Sequence, residues 1–351
     1  MTESITDISR EFFREIVLPI VERELPDVAA HTAFGLFGYG SEAYGLDDAY
    51  SRDHHFGLRI DALMPAELFA ARRDGLLRVV GARLPSSYRG HALRSGHIAG
   101  AGLAPDSLPA FLARTIGLER PPQTYAEWLG IPEEDILHVT NGEVWHDPDG
   151  RFTAVRAAFA AYYPEPVRLR RIAHLCRYFS GMGTYALKRA LLRGDAFYAT
   201  TRFATAIRLG VQLAFLLDRR YAPYDKWLIA HFAWLPRLYA PLRPLVEEAV
   251  ALGSPWERKL ALLDRMADVL DETMVADGVI RPHPRFVGTE TSGYRLLEHA
   301  YAELIQAVPD EIKTVVPQWD QVFLEQFHCR YVDGLDLAEW DSILGLRPYP
   351  A

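Results

Sequence analysis

Between positions 40 and 57 the chain reads Gly-Ser-Glu-Ala-Tyr-Gly-Leu-Asp-Asp-Ala-Tyr-Ser-Arg-Asp-His-His-Phe-Gly. Two parts of this run could do chemistry together. A tight turn at Gly40-Ser41 offers backbone amides and a hydroxyl, donors that cradle anionic oxygens. Asp53 and His55 stand two positions apart, so on a strand they project from one face and can hold a metal ion. His54 faces the other way and reads as a structural, hydrogen-bonded histidine. Imidazole suits zinc and other borderline metals better than Mg²⁺, so the pair binds Mg²⁺ weakly unless further oxygens join it. Far along the chain, Lys226 sits after Pro223 among Tyr221, Tyr224 and Trp227. It is either a point charge that reaches a phosphate or a surface lysine packed beside aromatics.

Periodicity predicts the elements that must position these groups. Over 8–24 the residues Phe12, Phe13, Ile16, Val17, Ile20 and Val21 mark one helical face, and Pro26 ends it. Residues 32–39 read as a buried strand running into the Gly40-Ser41 turn. A second strand begins near His55, with Phe56, Leu58 and Ile60 on a core face and His55, Arg59 and Asp61 on the other. Pairing it with Phe34 and Leu36 brings Ser41 and Asp53 to one end of the sheet. A helix over 65–84 follows, with Pro65 in its first turn, then a loop-rich insertion over about 85–124. Short strands at 136–140 and 143–146 are expected to turn at Asn141-Gly142, a hairpin dipeptide.

After Pro166 the pattern is helical, with helices at about 167–193, 195–220, 226–234, 242–252, 256–274 and 294–308. The expectation is an α+β chain: a mixed sheet with helices over 1–150, then an all-helical domain over 151–351. The cleft between the two is where a ligand should sit, with Lys226 facing Ser41 across it.

The 40–57 run resembles the signature of nucleotidyltransferases of the DNA polymerase β superfamily. There a strand ends in Gly-Ser, a loop of about ten residues follows, and a second strand opens with two carboxylates one residue apart. A closer resemblance is to an uncharacterised bacterial group, domain of unknown function 4037, often called nucleotidyltransferase-like. It is carried by Gly40, Ser41, Tyr44, Gly45, Asp47, Asp48, Ser51, Asp53, His54, Phe56 and Gly57. Three later stretches also carry it: Thr140-Asn141-Gly142-Glu143-Val144-Trp145-His146-Asp147, then Tyr162-Tyr163-Pro164, then Arg220-Tyr221-Ala222-Pro223-Tyr224-Asp225-Lys226-Trp227.

The resemblance implies that Gly40 and Ser41 hold a triphosphate, that Asp53 with His55 holds Mg²⁺ or Mn²⁺, and that Lys226 reaches a phosphate. His55 stands where the superfamily has its second carboxylate, which puts two-metal catalysis in question. A third carboxylate acting as metal ligand or general base would be Asp61, Glu143 or Asp147. Of these, Asp61 is more than about 20 Å along the strand from Asp53, Asp147 lies in a turn-forming Asp-Pro-Asp-Gly run, and Glu143 is the acid kept in the catalytic set. The implied activity moves a nucleoside monophosphate from an NTP, with ATP as the first donor to consider, onto a hydroxyl or other nucleophile of a small molecule.

Composition narrows the alternatives. At 351 residues, 49% hydrophobic and 24% charged, the chain reads as an ordinary globular protein. Its net charge of −8 gives no general attraction for nucleic acid or an anionic membrane, so neither is an expected partner. Two cysteines, Cys176 and Cys329, exclude a disulfide framework and a paired-thiolate zinc site, and point to the cytoplasm. The loop run Tyr88-Arg89-Gly90-His91 and Arg94-Ser95-Gly96-His97 concentrates donors, although solvated loop charge is its commoner meaning; His283 and Arg285 earn no role. An alternative to the enzyme is a weakened member that binds a nucleotide or metabolite without turnover, in a regulatory or scaffolding role. A transition-metal site on Asp53, His54 and His55 ranks last, because adjacent strand residues face opposite ways.

Overall fold

The first amphipathic stretch folds as two helices joined by a π turn. Helix α1 (Ile5–Phe12) opens on a capping box in which the Ser4 hydroxyl accepts from the Asp7 N–H and the Asp7 carboxylate accepts from that of Ser4. Helix α2 (Leu18–Glu24) carries Pro19 in its first turn. Pro19 has no N–H to donate and its ring crowds the turn before it, and the chain widens into a π turn at Phe13–Val17. Pro26 then opens α3 (Pro26–His31). The computed structural model describes residues 4–46, 48, 57–92, 102–282 and 297–317. Over them the chain is α+β.

Strand β1 (Ala33–Leu36) pairs antiparallel with β2 (Arg59–Met64), Phe34 opposite Ala62 and Gly35 opposite Asp61. Helix α4 (Ala66–Gly81) and a two-residue ribbon, β3 (Ser87–Tyr88) with β4 (His91–Ala92), precede β5 (Gly102–Ser107), which returns parallel to β2. Helices α5 (Leu108–Ile116), α6 (Tyr125–Leu129) and α7 (Glu133–Thr140) lead to β6 (Glu143–His146), antiparallel to β1, and then to α8 (Arg151–Ala160). The strand order is β5-β2-β1-β6.

Alternation along β2 gives the sheet two different faces. Phe34, Ile60, Ala62 and Met64 pack with Phe13, Val17 and Val21 of the N-terminal helices and with Leu76 and Val80 of α4. This is the core face expected of Leu58 and Ile60; Phe56 lies outside the described residues. The opposite face does not meet water either. Ala33, Phe37 and Leu63 join Phe111, Leu112, Val139 and Phe152 in a core that continues into the helical half, so Arg59, between Leu58 and Ile60, is only 5% exposed.

Two expected features differ. Residues 136–140 belong to helix α7, because Pro132 starts it and Glu133, Glu134 and Asp135 fill its first turn, where acids meet the positive end of the helix dipole. The 85–124 stretch holds β5 and α5. The Gly-Leu-Ala-Pro-Asp-Ser sequence of β5 has turn composition, yet it lies at the sheet edge, where Pro105 need not complete a ladder on both sides. Ser107 caps α5 by accepting from the Ala110 N–H. In the described part of the donor run there, Arg89 pairs with Glu11 and the Tyr88 hydroxyl donates to Glu15.

The helical half follows the periodicity closely. Helix α9 (Glu165–Tyr178) passes through a π turn at Phe179–Tyr185 into α10 (Ala186–Leu192). Asp195 caps the long α11 (Ala196–Leu217), and α12 (Asp225–Phe232), α13 (Tyr239–Val250), α14 (Trp256–Ala276), α15 (Glu298–Ala307) and α16 (Asp310–Lys313) complete it. Buried arginines of α9 satisfy carbonyls at the ends of other elements. Arg171 donates to the Trp128 and Ile131 carbonyls at 3.2 and 2.6 Å, and Arg170 to those of Ile312 and Val315. Among the described residues no helix is long and apolar enough to cross a membrane.

The same arginines leave a pH signature. Burial, with Arg170 and Arg171 alongside, pushes His174 down from 6.5 to about 3. Its folded-state value is the lower one, so acid protonates the unfolded chain first. The stability it contributes is complete above pH 6.5 and is lost as pH falls towards 3. Urea unfolding at pH 7 and pH 5 should show a loss of about 2 kcal/mol from this group. His174→Phe, which keeps the ring stacked on Tyr178 at 4.4 Å, should flatten the dependence by that amount.

Candidate functional site

The turn after β1 is built by drawing its carbonyls inward. Arg59 donates to the Phe37 carbonyl at 2.6 Å and to the Tyr39 carbonyl at 2.6 Å. Asn141, at the start of the turn between α7 and β6, grips Gly38 from both sides: its side-chain oxygen accepts from the Gly38 N–H at 2.8 Å and its amide donates to the Gly38 carbonyl at 2.7 Å. The Gly40 carbonyl accepts from Ala43, opening a short 3₁₀ turn at Ser41–Tyr44. Four successive carbonyls, 37 to 40, are therefore satisfied within the protein. The N–H groups of Gly40 and Ser41 and the Ser41 hydroxyl have no partner among the described residues, and both residues are half-buried.

Glycine is required here by geometry. Gly38 and Gly40 have φ of 84° and 119°. A Cβ on Gly142, itself at φ 61°, would lie 2.0 Å from the Leu36 carbonyl oxygen, and one on Gly35 would lie 2.1 Å from that of Glu143. Close approach of this kind lets the Gly142 N–H reach the Ala43 carbonyl at 2.8 Å. The Asn-Gly dipeptide thus fastens the β1 turn to α7 and β6 instead of closing a hairpin. Arg156 of α8 holds it from behind, donating to the Thr140 and Gly142 carbonyls.

Arg59 carries the charge balance. It pairs with Glu42 at 2.8 Å, both side chains nearly sealed from water, and with Asp61 at 3.2 Å. Asp61 also accepts from the Phe37 N–H at 2.9 Å. Burial raises its carboxyl above the ordinary range although Arg59 opposes the shift. Around the 3₁₀ turn lies an aromatic shell, with the Tyr44 ring 6.0 Å from His138 of α7, 6.1 Å from Tyr224 and 5.3 Å from His231 of α12. Burial pushes the Tyr44 hydroxyl well up and His231 down from 6.5 to about 4, so both are neutral near pH 7.

A cleft of about 550 Å³ opens beside the turn, lined by Tyr44, Asn141, Gly142, Tyr162, Phe215, Arg220, His231 and Trp234 among others. Here three motif stretches meet. The Tyr162 hydroxyl donates to the Arg220 carbonyl at 3.2 Å, its ring lies 4.8 Å from that of Tyr221, and the Ala222 N–H donates to Glu133 at the start of α7. A family model described as a domain of unknown function, DUF4037, matches residues 128–228. That span carries the shell of the turn, from α6 to the start of α12, and contains the three later stretches in which the resemblance was read. A comparison with curated proteins gives no match.

The residues expected at the site are distributed as follows. Gly40 and Ser41 form the turn. Lys226 is exposed on α12, two positions beyond Tyr224, with its ammonium 4.8 Å over the ring of Trp227. Glu143 is held by Arg10 at 2.6 Å and by the Trp145 indole at 2.8 Å, beside α1. Asp147 accepts from the Thr153 N–H at 2.8 Å ahead of α8. Asp53, His54 and His55 lie outside the described residues, as do 94–97, His283 and Arg285. Among the described residues no group of three or more His, Cys, Asp or Glu side chains could hold a metal ion. Sequence reasoning did not single out Arg59, Glu42, Tyr44 as a cleft residue, or His231. For Arg59 the available signal was its place between two core residues of a strand.

Two expectations test this architecture. Arg59→Met strands Glu42 and Asp61 in a covered site and should cost about 3–5 kcal/mol in urea unfolding, with Arg59→Met/Glu42→Gln recovering a good part of it. Asn141→Asp should destabilise more than Asn141→Ala. The aspartate can still accept from the Gly38 N–H but sets a carboxylate against the Gly38 carbonyl, whereas alanine only forfeits about 1–2 kcal/mol of hydrogen bonding.

Proposed function

We propose that the chain is a nucleotidyltransferase that transfers a nucleoside monophosphate from an NTP, with ATP as the first donor to test, to a nucleophile of a small molecule in the cytoplasm. The observation that carries this reading is the Gly38–Ser41 turn. Its carbonyls are consumed inside, while the Gly40 and Ser41 amides and the Ser41 hydroxyl have no partner among the described residues and directly precede the 3₁₀-turn residues, Ala43 and Tyr44, that line a 550 Å³ cleft. Donors arranged without competing acceptors suit phosphate oxygens. The cleft is of a size that takes a small molecule. Lys226, on the helix packed against this turn, supplies a further positive charge.

The described acids at the turn, Glu42 and Asp61, are both held by Arg59. A Mg²⁺ or Mn²⁺ ion would therefore rest on Asp53 with His55, and would neutralise charge on the bound phosphates. The same fact favours the second reading, a protein that binds nucleotide without transfer, since neither Glu42 nor Asp61 is a spare carboxylate.

Thermal unfolding with ATP and Mg²⁺ separates the outcomes. Wild type should be stabilised by ATP with Mg²⁺. Ser41→Ala should weaken binding about fivefold, the worth of one hydrogen bond. Asp53→Asn should abolish the Mg²⁺-dependent part, and His55→Asp should strengthen it by restoring two oxygen ligands. Indistinguishable curves for wild type, Asp53→Asn and His55→Asp would sink the metal-nucleotide reading. Binding with no transfer to any acceptor would select the second.

A further inference from the structure

Two polar atoms in the cleft wall are unaccounted for. The Tyr44 hydroxyl and the Nε2 of His231 are shut off from water and have no hydrogen-bond partner among the described residues. Both side chains line the cleft, at 4% and 7% exposure, and their rings meet edge to face at 5.3 Å. Buried polar atoms are ordinarily paired, and two orphans side by side on one cavity wall mark a place made for a ligand group. Their chemistry restricts it. A neutral phenol and a neutral imidazole together offer a donor and an acceptor, which matches an alcohol, itself one donor and one acceptor.

At another part of the lining stands Arg220, exposed and with no acidic partner among the described residues, whereas its neighbour Arg219 is paired with Glu165. The lining also includes apolar and aromatic side chains, Phe215 and Tyr162 among them. The Trp234 ring lies tilted against that of His231, with centroids 4.1 Å apart, and is itself 57% exposed, so the group that covers the imidazole stands at the surface.

We infer that this cleft binds a hydroxyl-bearing small molecule with an anionic end, of the sugar-phosphate class, its hydroxyl held by Tyr44 and His231 and its phosphate by Arg220. As the acceptor of a transfer reaction such a molecule rests on the function proposed above; as a ligand of the cleft it does not. The site is separate from the Gly40-Ser41 donors but adjoins them through Ala43 and Tyr44 of the same 3₁₀ turn.

Calorimetric titration tests it with glycerol 3-phosphate, ribose 5-phosphate and glucose 6-phosphate, each beside its dephosphorylated parent, and with inorganic phosphate. At least one sugar phosphate should bind wild type, at least tenfold more tightly than its parent and than phosphate. Tyr44→Phe, His231→Phe and Arg220→Ala should each weaken it about tenfold. Tyr44→Phe removes an unpaired buried hydroxyl, so its melting temperature without ligand should equal or exceed that of wild type. A lowered melting temperature would mean that the hydroxyl is structurally committed and would overturn the assignment. Failure of all three sugar phosphates, or binding untouched by Tyr44→Phe and His231→Phe, would overturn it as well. ATP titrated into the same proteins keeps the two readings apart: ATP without a sugar phosphate defeats only this inference, and a sugar phosphate without ATP defeats only the transferase.

Discussion

Arg59 occupies a strand position whose neighbours are packed apolar side chains, and its guanidinium reconciles a buried sheet face with a polar turn. Five N–H donors in a rigid plane allow it to hold the Phe37 and Tyr39 carbonyls while neutralising Glu42 and Asp61. Lysine has the charge but not the fork. Because the carbonyls are turned towards Arg59, the amides that follow are left for something else, and the half-buried position of Gly40 and Ser41 follows from a charge placed behind them. Taking such charges out of water is expensive, and the expense is met here by hydrogen bonds that shape a loop. The packing of α5, α7 and α8 over that face keeps the arrangement dry.

How far the sequence disclosed this depended on where each signal lay. Period-two alternation made the Ile60 face of β2 legible, and 3.6-residue periodicity made the helical half legible because those helices are long and each has one apolar face. The Gly40-Ser41 turn was visible as punctuation. Arg59 and Asp61 could be placed only on the face opposite Ile60, because alternation shows which residues share a side, not whether helices that come fifty or more positions later cover it. For α7, the Asn-Gly pair outweighed Pro132 and the acidic first turn, although the left-handed φ expected of Gly142 is present; it serves a helix-to-strand turn. Strand β5 could not be read at all, since pairing with β2 overrides its local composition. Tyr44 and His231 carry no local mark, because an unsatisfied atom is a property of its surroundings.

The three later motif stretches make physical sense as one knot. Tyr162 is at φ 71°, an awkward conformation for a tyrosine, and its hydroxyl lands on the Arg220 carbonyl while Tyr221 donates to that of Phe159. Ala222 then engages Glu133 at the head of α7, and Asn141 leaves from its foot. Segments distant in sequence are thereby tied to the same eight-residue helix. Stretches built so largely of aromatic and Asn-Gly elements describe a mounting for the turn as much as a set of reacting groups.

Helix α7 is pinned at both of its ends. At one, Arg171 grasps the Trp128 and Ile131 carbonyls just ahead of Pro132; at the other, Arg156 and Asn141 secure the exit. In mechanical terms it is a strut, welded to the helical half at its head and to the Gly38–Ser41 turn at its foot. A strut carries displacement without absorbing it, so any rocking of the helices about the sheet must move the Gly38 turn with them rather than open a gap along α7. The cleft wall that includes Asn141 and the turn that includes Ser41 are thus tied to one another through the two hydrogen bonds between Asn141 and Gly38, and their separation is set by the same contacts that build the turn.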